Sequence, residues 1–337
     1  MMVANMAVLA AALLFADSRS GSAQSDFSGK TIRLYIGTGP GGGYDAYGRL
    51  VARHIGRHIA GNPALVPQNM PGASSLTLTN FLFNTAPRDG TAIGMINQAM
   101  PTEQYLDIGN TNYDSKRFNW IGRVSSAVEM AIVWHTVPVN TIEDVRCRET
   151  LMGGTGPTSS TVFVPYLLDN LAGMKFKVVT GFNGTTEIAL AMERGEVEGS
   201  ATPLESLTSY RADWVRDRKI RILAQYTAAR DAELPDVPTM VELGRGEEAR
   251  QILGFYASAA DVGRSIVAPP AMPAQTVATL RRAFDEMLAD PVFLEEGKRT
   301  GIQLKPMSGG RLQDLVSRLG SFPREAELMW FSAAKAN

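Results

Sequence analysis

"YIGTGPGGGYDAYGRL", residues 35–50, decides the fold, because it joins a predicted strand to a predicted helix through a glycine-rich turn. Apolar residues before the turn predict a buried strand over 31–39, and apolar positions three or four apart predict a helix over 46–59. Further strands are predicted at 64–70 and 91–98, with a helix between them. Short strands that alternate with helices are typical of mostly parallel sheets covered on both faces. The sequence therefore predicts an α/β fold.

The glycine spacing raises the question of a nucleotide site, since it fits G-x-G-x-x-G at Gly37, Gly39 and Gly42. A dinucleotide site also needs an acidic residue at the end of the second strand, which here ends in Gln68 and Asn69. A P-loop needs Lys and Ser or Thr after its last glycine, but Tyr44 and Asp45 follow. Both nucleotide sites are disfavoured. A site for another anion and a purely structural tight turn remain open.

A second loop of the same kind favours the anion site. "GGTGPTSSTVF", residues 153–163, again places glycines and hydroxyls between an apolar strand and a helix. The first N–H groups of a helix are unpaired donors at its positive end. Two such ends facing each other would bind a dicarboxylate, or one carboxylate from both sides, without a buried arginine.

The order of elements predicts two lobes. The long apolar stretch 118–135 predicts a crossing from the first lobe to the second, and "SIVAPPAMP", residues 265–273, predicts a strand that returns. We expect the first lobe to comprise 30–126 and 263–337, and the second 127–262. Within them, the serines of "PGASS" are expected to cap a helix, and the Pro-rich, charged segment 234–251 is expected to be a connector.

Composition narrows the class of protein. Lys and Arg total 33 against 34 Asp and Glu, so no basic surface for nucleic acid is indicated. The single cysteine, Cys147, excludes an internal disulfide. The apolar run from Met6 to Ala16, followed by small residues, predicts a signal peptide over 1–23 and hence export to the periplasm, although "MMVAN" lacks the usual basic residues. The alternative is a frayed apolar terminus on a cytoplasmic protein.

The other clusters of polar residues do not predict a metal site or a catalytic site. His54 and His58 lie four apart on the first helix, but no Glu follows His54, so we expect helix packing and no metal site. No nucleophile, acid-base pair or metal cluster assembles, so we predict no catalytic residue and no cofactor. The first helix also carries a basic stripe, formed by Arg49, Arg53 and Arg57. This stripe is either a surface that docks a partner or a solvated helix face.

The chain resembles the substrate-binding proteins of tripartite tricarboxylate transporters, the TctC or Bug-type family. The motifs that carry the resemblance are "IRLYIGTGPGGGYDAYGRLVARHI", "VPQNMPGASS", "APRDGTAIG", "LPDVPTMVELG" and "APPAMPAQTVATLRRAFDEMLADPVFLEEGKRTG". It implies a monomeric type II periplasmic binding protein whose hinged lobes close on a small organic acid. It also implies delivery of the acid to an integral-membrane permease. A periplasmic sensor that presents the acid to a signalling partner would use the same pocket.

The resemblance also implies which residues bind the ligand. They are Pro40, Gly41, Gly42, Gly43, Tyr44 and Asp45 in the first loop, and Gly154, Thr155, Gly156, Pro157, Thr158, Ser159 and Ser160 in the second. This chain departs from the family where it has "VTGFNG", and where the strand after "GEVEG" ends without the frequent Asp. We therefore expect Phe182, Asn183 and Thr202 to set specificity.

Overall fold

The computed structural model describes residues 25–106, 111–156, 159–203 and 211–319. The predicted signal peptide, the site residues Pro157 and Thr158, and the end of the predicted first lobe at 320–337 lie outside the described residues.

Strands in the described ranges form two separate sheets. In chain order they are β1 Thr31–Ile36, β2 Ala64–Asn69, β3 Ala92–Met95, β4 Asn119–Ser125, β5 Glu129–Trp134, β6 Thr150–Gly153, β7 Phe176–Val179, β8 Gly199–Pro203, β9 Ile220–Gln225, β10 Arg264–Ala268 and β11 Met307–Ser308. The first sheet has the order β11-β4-β10-β3-β1-β2, and the second has the order β7-β6-β8-β5-β9.

One crossing strand is inserted within each sheet. The chain leaves the first sheet after β4, and β5 pairs antiparallel with both β8 and β9 of the second sheet. It returns as β10, which pairs antiparallel with both β3 and β4. The predicted lobe boundaries at 126/127 and 262/263 stay predictions, and at these two places the chain passes between sheets.

Helices cover both sheets, as the alternating pattern predicts. They are α1 Gly43–His54, α2 Leu76–Asn84, α3 Met100–Glu103, α4 Asp144–Cys147, α5 Ser160–Ala172, α6 Thr185–Glu193, α7 Ala212–Arg216, α8 Met240–Leu243, α9 Glu247–Ala257, α10 Ala259–Val262, α11 Ala274–Ala289, α12 Pro291–Arg299 and α13 Gly309–Arg318. The two-lobed α/β architecture predicted from the sequence is confirmed.

Side-chain alternation along the central strands explains the two layers of core. Leu34 of β1 packs with Leu50 of α1 on one face of the first sheet, whereas Tyr35 packs with Leu78 of α2 on the other. The second sheet is covered in the same way, with α5 on one face and α6 on the other. Because successive strand residues point to opposite faces, each sheet buries both of its surfaces.

Two local predictions are wrong. Ser75 stands at the N-cap of α2 but in the left-handed region, with φ of 90°, and its side chain makes no cap hydrogen bond. Its Oγ instead accepts a 3.1 Å hydrogen bond from the Asn97 N–H. The predicted connector 234–251 contains α8 and the start of α9, because Thr239 and Glu242 form a reciprocal capping box.

A side-chain network fixes the glycine loop before α1. Asp45 accepts hydrogen bonds from the Gly41 N–H at 3.0 Å and from Arg49 Nε at 2.9 Å. Asn69, at the end of β2, donates to Asp45 and to the Thr38 carbonyl, both at 2.9 Å. Burial raises the pKa of Asp45, but the hydrogen bonds from Arg49, Gly41 and Asn69 outweigh it and leave the pKa below its ordinary value.

Substitution of Phe284 tests how α11 packs on the first sheet. Its side chain is 0% exposed and lies against Gly122 of β4, so Phe284→Ala should lower the free energy of unfolding by about 3–5 kcal/mol. Urea unfolding measures the change, and Val292→Ala, at a position that is 59% exposed, is the control. Equal effects of the two substitutions would contradict this packing.

Asp45 predicts a pH-dependent contribution to stability. Asp45→Asn should lower the free energy of unfolding at pH 7 by about 1.5–3 kcal/mol, since hydrogen bonds to a charged group are lost. The folded pKa of Asp45 lies below its ordinary value of 3.8, so the contribution is complete above that value and is lost as the pH falls through the folded pKa. Urea unfolding from neutral to acid pH measures it, with the exposed Glu295→Gln as control. A deficit that is constant with pH would count against this role.

Candidate functional site

A cleft of about 650 Å³ lies between the two sheets and is lined from both lobes. Its walls come from the loops after β1, β2, β6 and β7, so it lies beyond the carboxyl ends of these strands. Open α/β sheets bind ligands at this edge. The volume falls in the range of small-molecule pockets, about 300–1,000 Å³.

The first predicted loop forms one wall. Pro40, Gly42, Gly43 and Tyr44 line the cleft at the N-terminus of α1. Gly41 takes φ of 85°, which favours glycine, and its carbonyl accepts a 3.0 Å hydrogen bond from Thr186 Oγ1 of the other lobe. The cleft is thus bridged at its mouth.

Asp45 takes a different place from its neighbours in the loop. Its carboxylate lies beneath the loop, bound by Gly41, Arg49 and Asn69, and does not line the cleft. The carboxylate therefore holds the backbone donors in place.

The second predicted loop forms the facing wall at the N-terminus of α5. Thr155, Gly156, Ser159 and Ser160 line the cleft. The Ser159 side chain caps α5 by accepting from the Thr161 N–H at 3.3 Å. Gly154 lies buried behind the wall. A Cβ there would come within 2.5 Å of Val162, so Gly154 permits close packing.

Of the predicted specificity residues, two line the cleft and one faces away. Phe182 and Asn183 line it from the loop after β7. Thr202 instead lines a cavity of about 30 Å³ beneath α6, whereas Ala201 and Pro203 line the cleft. Since neighbouring residues of a strand point to opposite faces, this part of the wall lies one residue away from the predicted position.

The loop after β2 forms another wall of the cleft, which the sequence did not predict as part of the site. Residues 71–74 line the cleft, and Ala73, Ser74 and Ser75 all have positive φ. The Ser74 Oγ and the Thr38 Oγ1 are buried and have no hydrogen-bond partner among the described residues. The motif "VPQNMPGASS" supplied a signal here, since it lies between a strand and a helix like the two glycine loops. These hydroxyls can hydrogen-bond a ligand or a water.

The floor of the cleft carries opposite charges, which contradicts the expectation of a site without a buried arginine. Arg264, the first residue of β10, is 1% exposed, and Glu129, the first residue of β5, is 6% exposed. The guanidinium carbon of Arg264 lies 4.0 Å from the centre of the Tyr44 ring. Burial raises the pKa of Tyr44 to about 12, so its phenol is neutral at pH 7. No local sequence signal marked the two charged residues.

The histidines and the basic stripe of the first helix form contacts within the protein. His54 contacts Glu296 at 2.5 Å, and His58 contacts Asp290 at 3.1 Å. Across the described part of the chain, no three His, Cys, Asp or Glu side chains form a metal-binding group. The basic stripe pairs within the chain, through Arg49 with Asp45, Arg53 with Glu296 and Arg57 with Asp290. No described helix is both long and apolar enough to cross a membrane.

Known proteins share this architecture. A Cupriavidus necator protein, named UPF0065 protein in gbd 5'region, is 27% identical over 299 residues, which are 87% of this chain and 85% of the relative. The structure of the periplasmic binding protein BugD matches 90% of this chain and 97% of its own, at 20% identity and a TM-score of 0.70. An R. palustris protein solved with adipate matches 92% and 98%, at 18% identity and a TM-score of 0.68.

A family model assigns the chain more firmly. The model of the tripartite tricarboxylate transporter family receptor, TctC, matches residues 48–318, which include both crossings and most of the cleft. The resemblance drawn from the sequence motifs is confirmed. The chain belongs to the tripartite tricarboxylate transporter receptor family.

Proposed function

We propose that this protein binds a small organic carboxylate in its interlobe cleft and delivers it to an integral-membrane permease of the tripartite tricarboxylate type. The observation that carries the proposal is the convergence of α1 and α5, whose N-terminal loops line facing walls of one cleft. The first N–H groups of a helix and its dipole favour an anion at each wall. The two ends of a dicarboxylate, or one carboxylate held from both sides, would satisfy both walls.

The comparisons support the same class of ligand. A solved relative holds adipate, and the family is that of carboxylate receptors. This membership supports binding rather than catalysis, and the proposal requires no cofactor. We place the protein in the periplasm as a monomer, in line with its family and with the signal peptide predicted over 1–23.

Ligand-dependent stability tests the proposal. Protein expressed from the full chain and stripped of ligand should unfold at a higher temperature with succinate, adipate or suberate. A ligand that binds only the folded state adds about 2.7 kcal/mol at 100-fold its dissociation constant. Thermal unfolding measures the shift, with NAD, ATP and amino acids in parallel. Stabilisation by NAD or ATP alone, or by no carboxylate, would contradict the proposal.

Gly42→Val tests the first wall. A Cβ at Gly42 would lie 3.5 Å from Thr185 Oγ1, and φ there is −97°, so the chain should fold with the larger residue. The isopropyl group would obstruct the approach of a carboxylate to the N–H groups of α1. We expect adipate affinity, measured by calorimetry, to fall tenfold or more, a loss of about 1.4 kcal/mol. Gly310→Val, with nothing within 4 Å, is the control, and unchanged affinity at Gly42 would remove this wall from the site.

A further inference from the structure

We propose that Arg264 binds one carboxylate of the ligand at the floor of the cleft, with Glu129 as its neighbouring acid, and so makes this receptor selective for dicarboxylates. The inference rests on the proposed function and assigns one end of the ligand to a side chain. The other end is left to the N–H groups of α1 and α5.

The placement of Arg264 is the first support. A guanidinium is costly to bury, and buried charges are retained where they are paired or bind a ligand. Among the described residues that line the cleft, Arg264 is the single Lys, Arg or His. Glu129 and Glu187 also line the cleft, so Arg264 supplies the single positive side-chain charge among these described lining residues.

The orientation of Arg264 is fixed by aromatic rings. The guanidinium carbon lies 4.0 Å from the centre of the Tyr44 ring and 6.0 Å from that of Tyr47. Tyr44 is anchored in turn, since its hydroxyl accepts a 2.9 Å hydrogen bond from the Gln98 N–H. Contact with these rings holds the guanidinium in place, and its planar set of N–H groups suits bidentate binding of a carboxylate.

Glu129 determines how much of this charge is open to a ligand. Its carboxyl is buried in the cleft floor, where it interacts with Arg264 from β10 and Ser160 from α5, with Tyr44 and Tyr226 also nearby. Burial raises the pKa of Glu129, while Ser160 and Arg264 lower it by less. Because Glu129 interacts with the guanidinium, it is the group in the cleft with which a ligand carboxylate would compete for Arg264.

Three variants measured by calorimetry at pH 7 test the inference. Arg264→Gln should weaken the binding of succinate, adipate and suberate by about 10- to 100-fold, since charged hydrogen bonds are lost. Glu129→Gln keeps the shape of the acid and removes the carboxylate that would compete for Arg264, so affinity should rise. Arg123→Gln removes another buried arginine, which hydrogen-bonds the Lys305 and Asp261 carbonyls outside the cleft, and should leave affinity unchanged.

A ligand series separates direct binding from a structural role. In the wild type, each monomethyl ester should bind about tenfold or more weakly than its dicarboxylate. In Arg264→Gln this ratio should fall towards one, because one end of the site no longer recognises charge. A change in the ester ratio marks a direct contact, which general loosening of the fold would not produce. Circular dichroism and urea unfolding establish that each variant is folded, and Arg264→Lys, which keeps the charge, should recover part of the ratio.

The outcomes distinguish the two proposals. If the wild type binds none of these dicarboxylates, the proposed function fails and the inference fails with it. If the wild type binds them and Arg264→Gln retains both the affinity and the ester ratio, only the inference is overturned. Equal losses in Arg264→Gln and Glu129→Gln would also overturn it, since the pair would then act as a structural unit.

Discussion

The chain passes between its two sheets twice, and the rest of the molecule depends on how those crossings are held. Each crossing strand enters a sheet with a hydrogen-bonded neighbour on both sides, β5 between β8 and β9, and β10 between β3 and β4. A strand paired on both edges cannot shift without breaking two ladders. The first residues of these strands, Glu129 and Arg264, therefore form a fixed floor. The walls of the cleft belong to loops of separate sheets.

In the walls of the cleft, buried side chains hold the loops in place, and backbone groups face the cleft. Asp45 and Asn69 hold the first loop from beneath, and Ser159 caps α5. With these side chains engaged in the protein, the ligand meets glycines, hydroxyls and N–H groups. Such a wall suits the carboxylate group in general. Discrimination between acids then has to come from other side chains that line the cleft, which include Phe182 and the charged floor.

Local sequence was sufficient for the fold and for the two glycine loops, because strand, turn and helix signals are short-range. It was insufficient wherever the answer depended on pairing between distant segments. The sequence predicts Thr202 as a site residue, but strand pairing decides which face of β8 meets the cleft, and its neighbours Ala201 and Pro203 line the wall instead. Arg264 precedes an apolar strand, and nothing nearby indicates that this strand inserts beside β3 with its first residue in the cleft. Sequence alone therefore predicts the glycine loops of the cleft, but it does not predict Arg264.

The contacts that bridge the cleft also bear on how closure is driven. At the mouth, the lobes are joined by the hydrogen bond from Thr186 Oγ1 to the Gly41 carbonyl. A hydrogen bond of this kind contributes about 0.5–1.5 kcal/mol net, which is too little to populate a closed state strongly by itself. Only a difference in ligand affinity between open and closed states can shift that equilibrium further. In the proposed binding mode, a dicarboxylate held at the floor by Arg264 and at the walls by α1 and α5 would contact both lobes, so the groups proposed to select the ligand would also stabilise the closed state.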